Sequence, residues 1–279
     1  MAGTDEETVA SSDALFVLTA VLLTPAQFPS VLGDDYPEAC AALGLAPCAD
    51  GYGLVLGQDG EGARWTAVID DVSLVAVAIA SWDCGMEYDL SPDERSIVAA
   101  LPGWPLAVAV AAPDVPAPHD PSPEDGGMAP LVPPDATIWG PAQRRLGADE
   151  IALQWSTWRS QLPDGAFAAP NGSGEETEAA PPAEERKPRN GDSGVRRVLA
   201  EARAYLDSPP PLGRVRSAFA PGDARTLRAD GPGWSIVART DDIAFVLLDD
   251  KPGEVLPVGR GPELPDLLEA LDKMAVRPN

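Results

Sequence analysis

The sequence predicts an α+β fold of two similar lobes, each a mainly antiparallel β-sheet with helices packed on it, related by a pseudo-two-fold axis. Two observations lead to this fold class. A pattern of short strand-like runs occurs twice, over residues 53–78 and 225–249, and an acidic helix-like stretch follows each copy, at 90–101 and 261–271. We interpret the repetition as an internal duplication of one strand-and-helix unit.

Both copies contain the same order of turn, tryptophan and acidic pair. The dipeptides Asp59-Gly60 and Asp230-Gly231 predict the turns. Aspartate is common where strands turn, and tryptophan serves either as a core residue or as an anchor in an interface. The candidates for a partner-binding site are therefore the repeated tryptophans and Asp-Asp pairs, namely Trp65, Trp234, Asp70, Asp71, Asp241 and Asp242.

The first part of the chain mixes helix and strand signals. The apolar run between Asp13 and Pro25 predicts a helix, although its β-branched residues also allow a strand. Ser91 and Glu94 have the spacing of a capping box and predict a helix that ends near Leu101. The other predicted elements are a helix at 36–44, strands at 52–56, 64–69, 73–79 and 105–112, and a helix at 148–162.

Proline-rich and acidic stretches predict the domain boundaries. Residues 113–136 contain eight prolines and predict an extended connector. Residues 163–193 contain five prolines, four glycines and five glutamates, a composition that favours disorder. The predicted organisation is a disordered start at 1–12, a first lobe at 13–162, a linker at 163–193, and a second lobe at 194–279 with helices at 195–206 and 262–274.

The charge of the chain is acidic and unevenly distributed. The formal charge is −24, and residues 1–143 contain 22 acidic residues against two basic ones, Arg64 and Arg95. Phosphate groups repel such a chain, so direct binding to nucleic acid or to an anionic membrane is not expected. The acidic faces either serve solubility alone or attract a basic protein partner.

The cysteines and the first residues predict a cytoplasmic protein. Three cysteines, Cys40, Cys48 and Cys84, show no CxxC spacing and suit a reducing compartment. Residues 1–12 carry no basic side chain, unlike a signal peptide, and the apolar run at 15–23 is too short to span a bilayer.

Residue patterns for catalysis are weak, so we expect a protein that is not an enzyme and has no cofactor or metal. His119 is the single histidine and lies in the proline-rich connector. Nucleotide-binding glycine motifs and a nucleophile elbow do not occur in the sequence. Two carboxylate clusters leave a metal-dependent enzyme as an alternative, and they comprise Asp34, Asp35 and Glu38, and Asp83, Glu87 and Asp89.

Several strings in the chain resemble the EspG family of cytoplasmic chaperones of actinobacterial type VII secretion. They are DALFVLTAVLLT with AQFPSVL, YGLVLGQDGEGARWTAVIDD with SIVAALPG, and VLPVGRGPELPDLLEAL near the end. The family is likewise built from two related sheet-and-helix lobes. The resemblance implies a chaperone that shields the tip of a secreted helical substrate, and the long insertions at 113–136 and 163–193 depart from the family pattern.

The function expected from the sequence is non-catalytic binding of another protein, as a cytoplasmic chaperone or adaptor associated with secretion. An acidic inhibitor or immunity-type protein that blocks a basic target is the first alternative. The salt dependence of binding distinguishes the chaperone from the inhibitor. The affinity of a charge-driven inhibitor falls steeply as salt is added, whereas the affinity of a chaperone for an apolar helix tip depends only weakly on salt. The carboxylate- and metal-dependent enzyme is the second alternative.

Overall fold

The structure is a computed structural model with an α+β fold built on two antiparallel sheets, as the sequence predicts. It describes residues 15–26, 36–73, 92–104, 117–122, 124, 128–132, 135, 137–162 and 190–277. Contacts divide the chain into two compact units. The first comprises residues 1–27 and 46–134, and the second comprises residues 28–45 and 135–279.

The first unit contains a four-stranded meander in the order β1-β2-β3-β4. Its strands are β1 (Phe16–Leu23), β2 (Tyr52–Gln58), β3 (Arg64–Ile69) and β4 (Ile97–Pro102). Every residue of β2 is buried, which places apolar side chains on both faces of the sheet. Val55, Ala67 and Ile69 belong to one apolar cluster, whereas Leu56 packs with Trp104 in another.

The helix predicted between Asp13 and Pro25 was wrong, because this run forms strand β1. It pairs antiparallel with β2 from Phe16 opposite Gln58 to Leu23 opposite Tyr52. Pairing with a buried partner strand outweighs the helix-capping signals, and β-branched residues favour that outcome.

The helix predicted up to Leu101 was also wrong. In the structure the Ser96 N–H donates to the Asp93 carbonyl at 2.9 Å, which closes a turn at the point where the capping-box signal had indicated a helix start. Strand β4 follows and pairs with β3 from Trp65 opposite Pro102 to Ile69 opposite Ile97. Residues 93–96 therefore form a turn and not the start of a helix. The residues after this turn form the last strand of the sheet.

The second unit contains a five-stranded meander with helices. The strands are β5 (Val215–Phe219), β6 (Arg225–Gly231), β7 (Trp234–Arg239), β8 (Ala244–Leu248) and β9 (Val255–Val258), in sequential order. The helices are α1 (Tyr36–Ala42), α2 (Pro141–Leu153), α3 (Trp155–Ser160), α4 (Asn190–Ala204) and α5 (Leu264–Met274). Strands β5 and β9 were not among the elements predicted from local sequence patterns.

Helices cover both faces of the second sheet. On one face, side chains such as Leu227 and Ile236 pack in an apolar cluster with residues of α4 and α5. On the other face, Val237 and Phe245 pack with Ala148 and Trp155 of α2 and α3. Successive side chains of a strand point to opposite faces of the sheet, and the side chains on each face pack against helices.

The three helices α1, α2 and α3 lie in the part of the sequence that we assigned to the first lobe, but their contacts group them with the second unit. Helix α2 begins at Pro141, earlier than the predicted start at 148, and Gln154 separates it from α3. The predicted helices at 36–44, 195–206 and 262–274 correspond to α1, α4 and α5 and are confirmed.

The repeated pattern corresponds to a structural repeat in its first two strands. In each copy a glycine on the first strand stands directly opposite the tryptophan on the second, as Gly57 opposite Trp65 and Gly231 opposite Trp234. The copies then diverge. Strand β3 pairs with the distant β4 whereas β7 pairs with the next strand β8, and the predicted strand at 73–79 lies outside the described residues after Ser73.

The turn predicted at Asp230-Gly231 lies two residues later in the structure. Asp230 and Gly231 are the last residues of β6, and the chain turns at Pro232 and at Gly233, which has a φ of 75°. Asp59 does lie in a turn, where its Oδ1 accepts N–H groups from Glu61 and Ala63, each at 2.9 Å.

Candidate functional site

The exposed candidate surface of the first unit is an acidic corner where β3 ends and β4 begins. We define it by Asp70, Asp71, Asp93 and Glu94, which are all exposed. The Asp70 N–H donates to the carbonyl of Ser96 at 3.2 Å and joins the two chain segments. Among the residues that the structure describes, none forms a salt bridge with these carboxylates. The corner therefore presents its negative charge to solvent.

Asp71 is held by a local turn. Its Oδ1 accepts from the Ser73 N–H at 2.9 Å and from the Ser73 hydroxyl at 2.6 Å. These two hydrogen bonds lower the pKa of the Asp71 carboxyl. The side chain therefore stays ionised at neutral pH and keeps a defined orientation at the corner.

Trp65 lies away from the acidic corner. It is half-buried near the start of β3, where its Nε1 donates to Asp59 Oδ2 at 3.2 Å. Asp70 follows the other end of that strand, ~17 Å away at about 3.3 Å per residue. The structure therefore does not bring Trp65 and the first acidic pair into one site.

Trp234 is fully buried in the second unit, with 0% of its surface exposed. Its Nε1 donates to Glu201 Oε2 on α4 at 2.5 Å, and its ring lies 5.8 Å from that of Tyr205. A direct contact between Trp234 and a partner would require this part of the unit to open. The observed role of the side chain is to pack α4 on the sheet.

The second acidic pair is engaged in internal ion pairs. Asp241 is exposed and receives two hydrogen bonds from Arg239, at 2.9 and 2.8 Å, and this pairing lowers the pKa of its carboxyl. Asp242 accepts from Arg159 at 3.2 Å and from the Trp155 indole at 3.4 Å, which fastens α3 to the turn between β7 and β8. Partner binding by the six candidate residues stays a prediction, and among them Asp70 and Asp71 are exposed and form no salt bridge with a described residue.

A buried charge network, not expected from the sequence, lies between α2 and the second sheet. Its centre is Asp230, which is fully buried together with Arg216 and Arg228. Arg228 donates to Asp230 Oδ1 at 3.0 Å, and Arg216 donates to Oδ2 at 3.2 Å. The network, defined by its charged and hydroxyl side chains, consists of Arg144, Arg216, Arg228, Asp149, Asp230 and Ser235, with Asp249 at its rim.

Helix α2 completes this network. Arg144 donates from Nε to Asp249 Oδ1 at 2.6 Å and from Nη1 to the carbonyl of Trp234, also at 2.6 Å. Asp149, one further turn along the helix, accepts from Arg228. Three arginines thus face three carboxylates, and the balance of charge is what makes such burial tolerable.

The charge states follow from this arrangement. Burial alone would raise the pKa of Asp230, but Arg228 and Arg216 reverse that effect and hold it well below its usual range. Burial lowers the pKa of Arg216 to about 10, so it stays protonated at neutral pH. Asp230 and Arg216 are therefore both charged at neutral pH, and their ion pair persists under physiological conditions.

A signal for this network exists in the sequence. Along β6, Arg228 and Asp230 alternate with Leu227 and Ala229, so charged residues occupy one face of a strand whose other face is apolar. That alternation normally indicates a solvent-exposed face. One sign of burial does exist in the sequence, namely the adjacent Arg144 and Arg145. They lie on helix α2, which packs over this face and buries its charges.

Of the carboxylates proposed for a metal, only Glu38 lies in the described part of the chain. Glu38, on α1, pairs with Arg145 and Arg214 instead. Asp34, Asp35, Asp83, Glu87 and Asp89 lie outside the described residues. Within the described ranges, no group of three or more His, Cys, Asp or Glu side chains is placed to hold a metal ion.

Comparisons with protein-family models, with curated proteins and with solved structures find no match for this chain. In the part of the chain that the structure describes, no helix has the length and apolar character needed to cross a membrane.

Proposed function

We propose that this chain is a non-catalytic protein-binding chaperone or adaptor that works in the cytoplasm. The observation that carries the proposal is the acidic corner of the first unit, where four exposed carboxylates lie on two chain segments joined by a hydrogen bond. Carboxylates of the second unit, such as Asp230, Asp242 and Asp272, are paired with its own arginines. The acidic corner of the first unit is exposed and has no described cation in salt-bridge contact.

An exposed cluster of like charge attracts a partner of opposite charge. Such a field raises the rate of encounter more than it tightens the final complex, and it excludes partners with acidic surfaces. The partner proposed here is a protein with a basic surface. The resemblance to EspG supports a specific form of this proposal, in which the partner is a secreted helical substrate. Cys40 and Cys48 are present as thiols, which agrees with a reducing compartment.

Site-specific photo-crosslinking in the source cell tests the proposal. A benzophenone amino acid is placed at Asp71 in the acidic corner and, as a matched control, at Asp223, an exposed acidic position of the second unit. We expect Asp71 to crosslink one basic protein reproducibly and Asp223 not to do so. Equal crosslinking at both positions, or none at Asp71, would overturn the proposal.

The same acidic corner also favours the acidic inhibitor as a second candidate function. Once the crosslinked protein is purified, the dissociation constant measured between about 50 and 200 mM salt separates the two. A chaperone that grips an apolar surface is expected to lose at most the about tenfold in affinity that slower association accounts for, whereas a charge-mimicking inhibitor loses most of its affinity. Loss of the partner's own activity on binding would further favour the inhibitor.

A further inference from the structure

One edge of the second sheet is covered by a short parallel segment of the same chain. The Val276 N–H donates to the carbonyl of Val215, and the Ser217 N–H donates to the carbonyl of Val276, each at 3.0 Å. This forms a parallel bridge beside Arg216, at the outer edge of β5. We define residues 275–277 as the edge segment.

An aspartate on α5 fastens the edge segment. Asp272 Oδ2 accepts from Arg277 Nη2 at 3.0 Å, and the Asp272 carbonyl accepts from the same nitrogen at 2.8 Å. Through Oδ1, Asp272 also accepts from the Ser217 hydroxyl of β5 and from Arg225 Nε. The edge is therefore held by one apolar pairing residue followed by one basic residue.

The edge segment covers only part of β5. Because the Asp230 N–H donates to the Arg214 carbonyl, the backbone groups of residues 214, 216 and 218 face β6 and those of Val215, Ser217 and Phe219 face outward. Val276 bonds to the first two of these outward groups, the Val215 carbonyl and the Ser217 N–H. The Ser217 carbonyl accepts instead from Arg225 Nη2 at 3.2 Å, and Phe219 is 82% exposed.

The chain's own segment is chemically limited in this role. A longer parallel strand would use the N–H of the residue two positions after Val276 to reach the Ser217 carbonyl, but residue 278 is a proline and carries no N–H. A strand with any other residue at that position gains a hydrogen bond that this chain lacks.

We propose that the outer edge of β5 is a docking site for an extended segment of another protein, which adds in parallel in place of residues 275–277. The partner segment offers a main-chain N–H and carbonyl at the Val276 position and a basic residue directly after it, because Arg277 of the chain's own segment pairs with Asp272. Main-chain hydrogen bonds supply the affinity, and the basic residue supplies selectivity. The site lies in the second unit and is independent of the acidic corner.

Peptide binding by fluorescence anisotropy tests this site. The protein is the full chain with V276P/R277E, which removes the N–H of residue 276 and places a carboxylate against Asp272. The probes are fluorescein-labelled KMAVRPN, the sequence of residues 273–279, and KMAVRVN, which restores the missing N–H. The negative control is KMAPEVN.

We expect the variant to bind KMAVRVN at least about tenfold more tightly than the unaltered chain does, since the attached segment competes at an effective concentration on the order of millimolar. KMAVRVN is expected to bind several-fold more tightly than KMAVRPN, and KMAPEVN not to bind. The added variant F219P removes the outward N–H that would donate to the carbonyl of the sixth residue of either peptide, and is expected to weaken the binding of both.

Circular dichroism establishes that each variant is folded, and R277E alone, which leaves the backbone unaltered, replaces V276P/R277E if that variant unfolds. No binding of KMAVRVN to a folded variant would overturn the proposal. Equal binding to the variant and to the unaltered chain would overturn it as well, because the site would then lie elsewhere.

Discussion

Asp230 is the residue on which the charge balance of the second unit depends. It contacts Arg216, Arg228 and Ser235, and all four side chains are buried. A buried ion pair adds little net stability compared with an apolar pair, but removal of one partner leaves the other charge uncompensated. We therefore expect the effect of Asp230 on stability to appear when its carboxylate is removed.

We predict that Asp230→Asn lowers the free energy of unfolding by about 3–5 kcal/mol, because three arginines then lose their shared carboxylate. The measurement is urea unfolding followed by circular dichroism. Asp223→Asn, which removes the same charge at an exposed position of this unit, is expected to change stability by less than about 0.5 kcal/mol. Similar effects of the two substitutions would contradict the role assigned to Asp230.

Tyr205 gives a prediction for alkaline pH. Burial raises the pKa of its phenol to about 12, compared with about 10 in an unfolded chain. The folded state thus favours the neutral phenol, so its contribution to stability is complete below pH ~10 and is lost between pH ~10 and ~12. An absorbance titration at alkaline pH, compared with that of Tyr205→Phe, should assign to Tyr205 a phenolate that forms near pH 12. A difference titration centred near pH 10 would refute this environment.

At the scale of elements, the recurring unit of this chain is a hairpin with a glycine opposite a tryptophan. In the second hairpin the reason is steric, since a methyl group added at Gly231 would lie 2.2 Å from Trp234 Cε2. The indole crosses the glycine and stays in the core beside Leu227 and Ile236. The glycine is therefore needed for the position of the ring and not for the turn.

We predict that Gly231→Ala lowers the free energy of unfolding by about 1–3 kcal/mol, the usual range for an overpacked core. Introducing the same change into a Trp234→Leu background should cost markedly less, because the obstructing ring is absent. Urea unfolding of the four proteins of this double-mutant cycle provides the test. Equal costs in both backgrounds would show that the strain has another source.

The elements that could be predicted from the sequence are those with strong local signals. Strands β2, β3, β6 and β7 follow from short strand-like runs between turn residues, and β8 follows from a strongly apolar run. Helix α4 follows from its apolar face, and α5 from the acidic helix-like stretch after the second copy. Strands β1 and β4 could not be predicted in this way, because their apolar runs suit either structure and pairing with β2 and β3 decides between them. The buried charge network was missed because charged residues in a strand normally indicate exposure.

At the scale of the whole molecule, the second unit is assembled from segments far apart in the chain. Helices α1, α2 and α3 precede residue 163, whereas the sheet on which α2 and α3 pack begins at Val215. Ion pairs of Glu38 with Arg214 and of Arg144 with Asp249 join the two parts. The boundary between the units is thus set by packing and not by the composition of the stretch at 163–193.

We predict that cleavage of the chain between α3 and α4 does not separate the two fragments. A specific protease site inserted after Gly174 is cut in the folded protein, and the products are analysed by gel filtration. The fragments 1–174 and 175–279 are expected to elute together, since the apolar cluster and the ion pairs that hold α2 on the sheet remain. Separate elution of a folded fragment 175–279 would contradict the assignment of α1 to α3 to the second unit.

Attraction of a basic partner by the acidic corner is measured most directly as the rate of association with the crosslinked partner in a stopped-flow experiment. We compare D70N/D71N/D93N/E94Q with D207N/D223N/D250N/D266N, which neutralises as many exposed carboxylates on the second unit. The account predicts that the corner variant associates about tenfold more slowly at low salt, with the difference vanishing at high salt, and that the control variant associates as the unaltered chain does. Equal association rates for the two variants would contradict it.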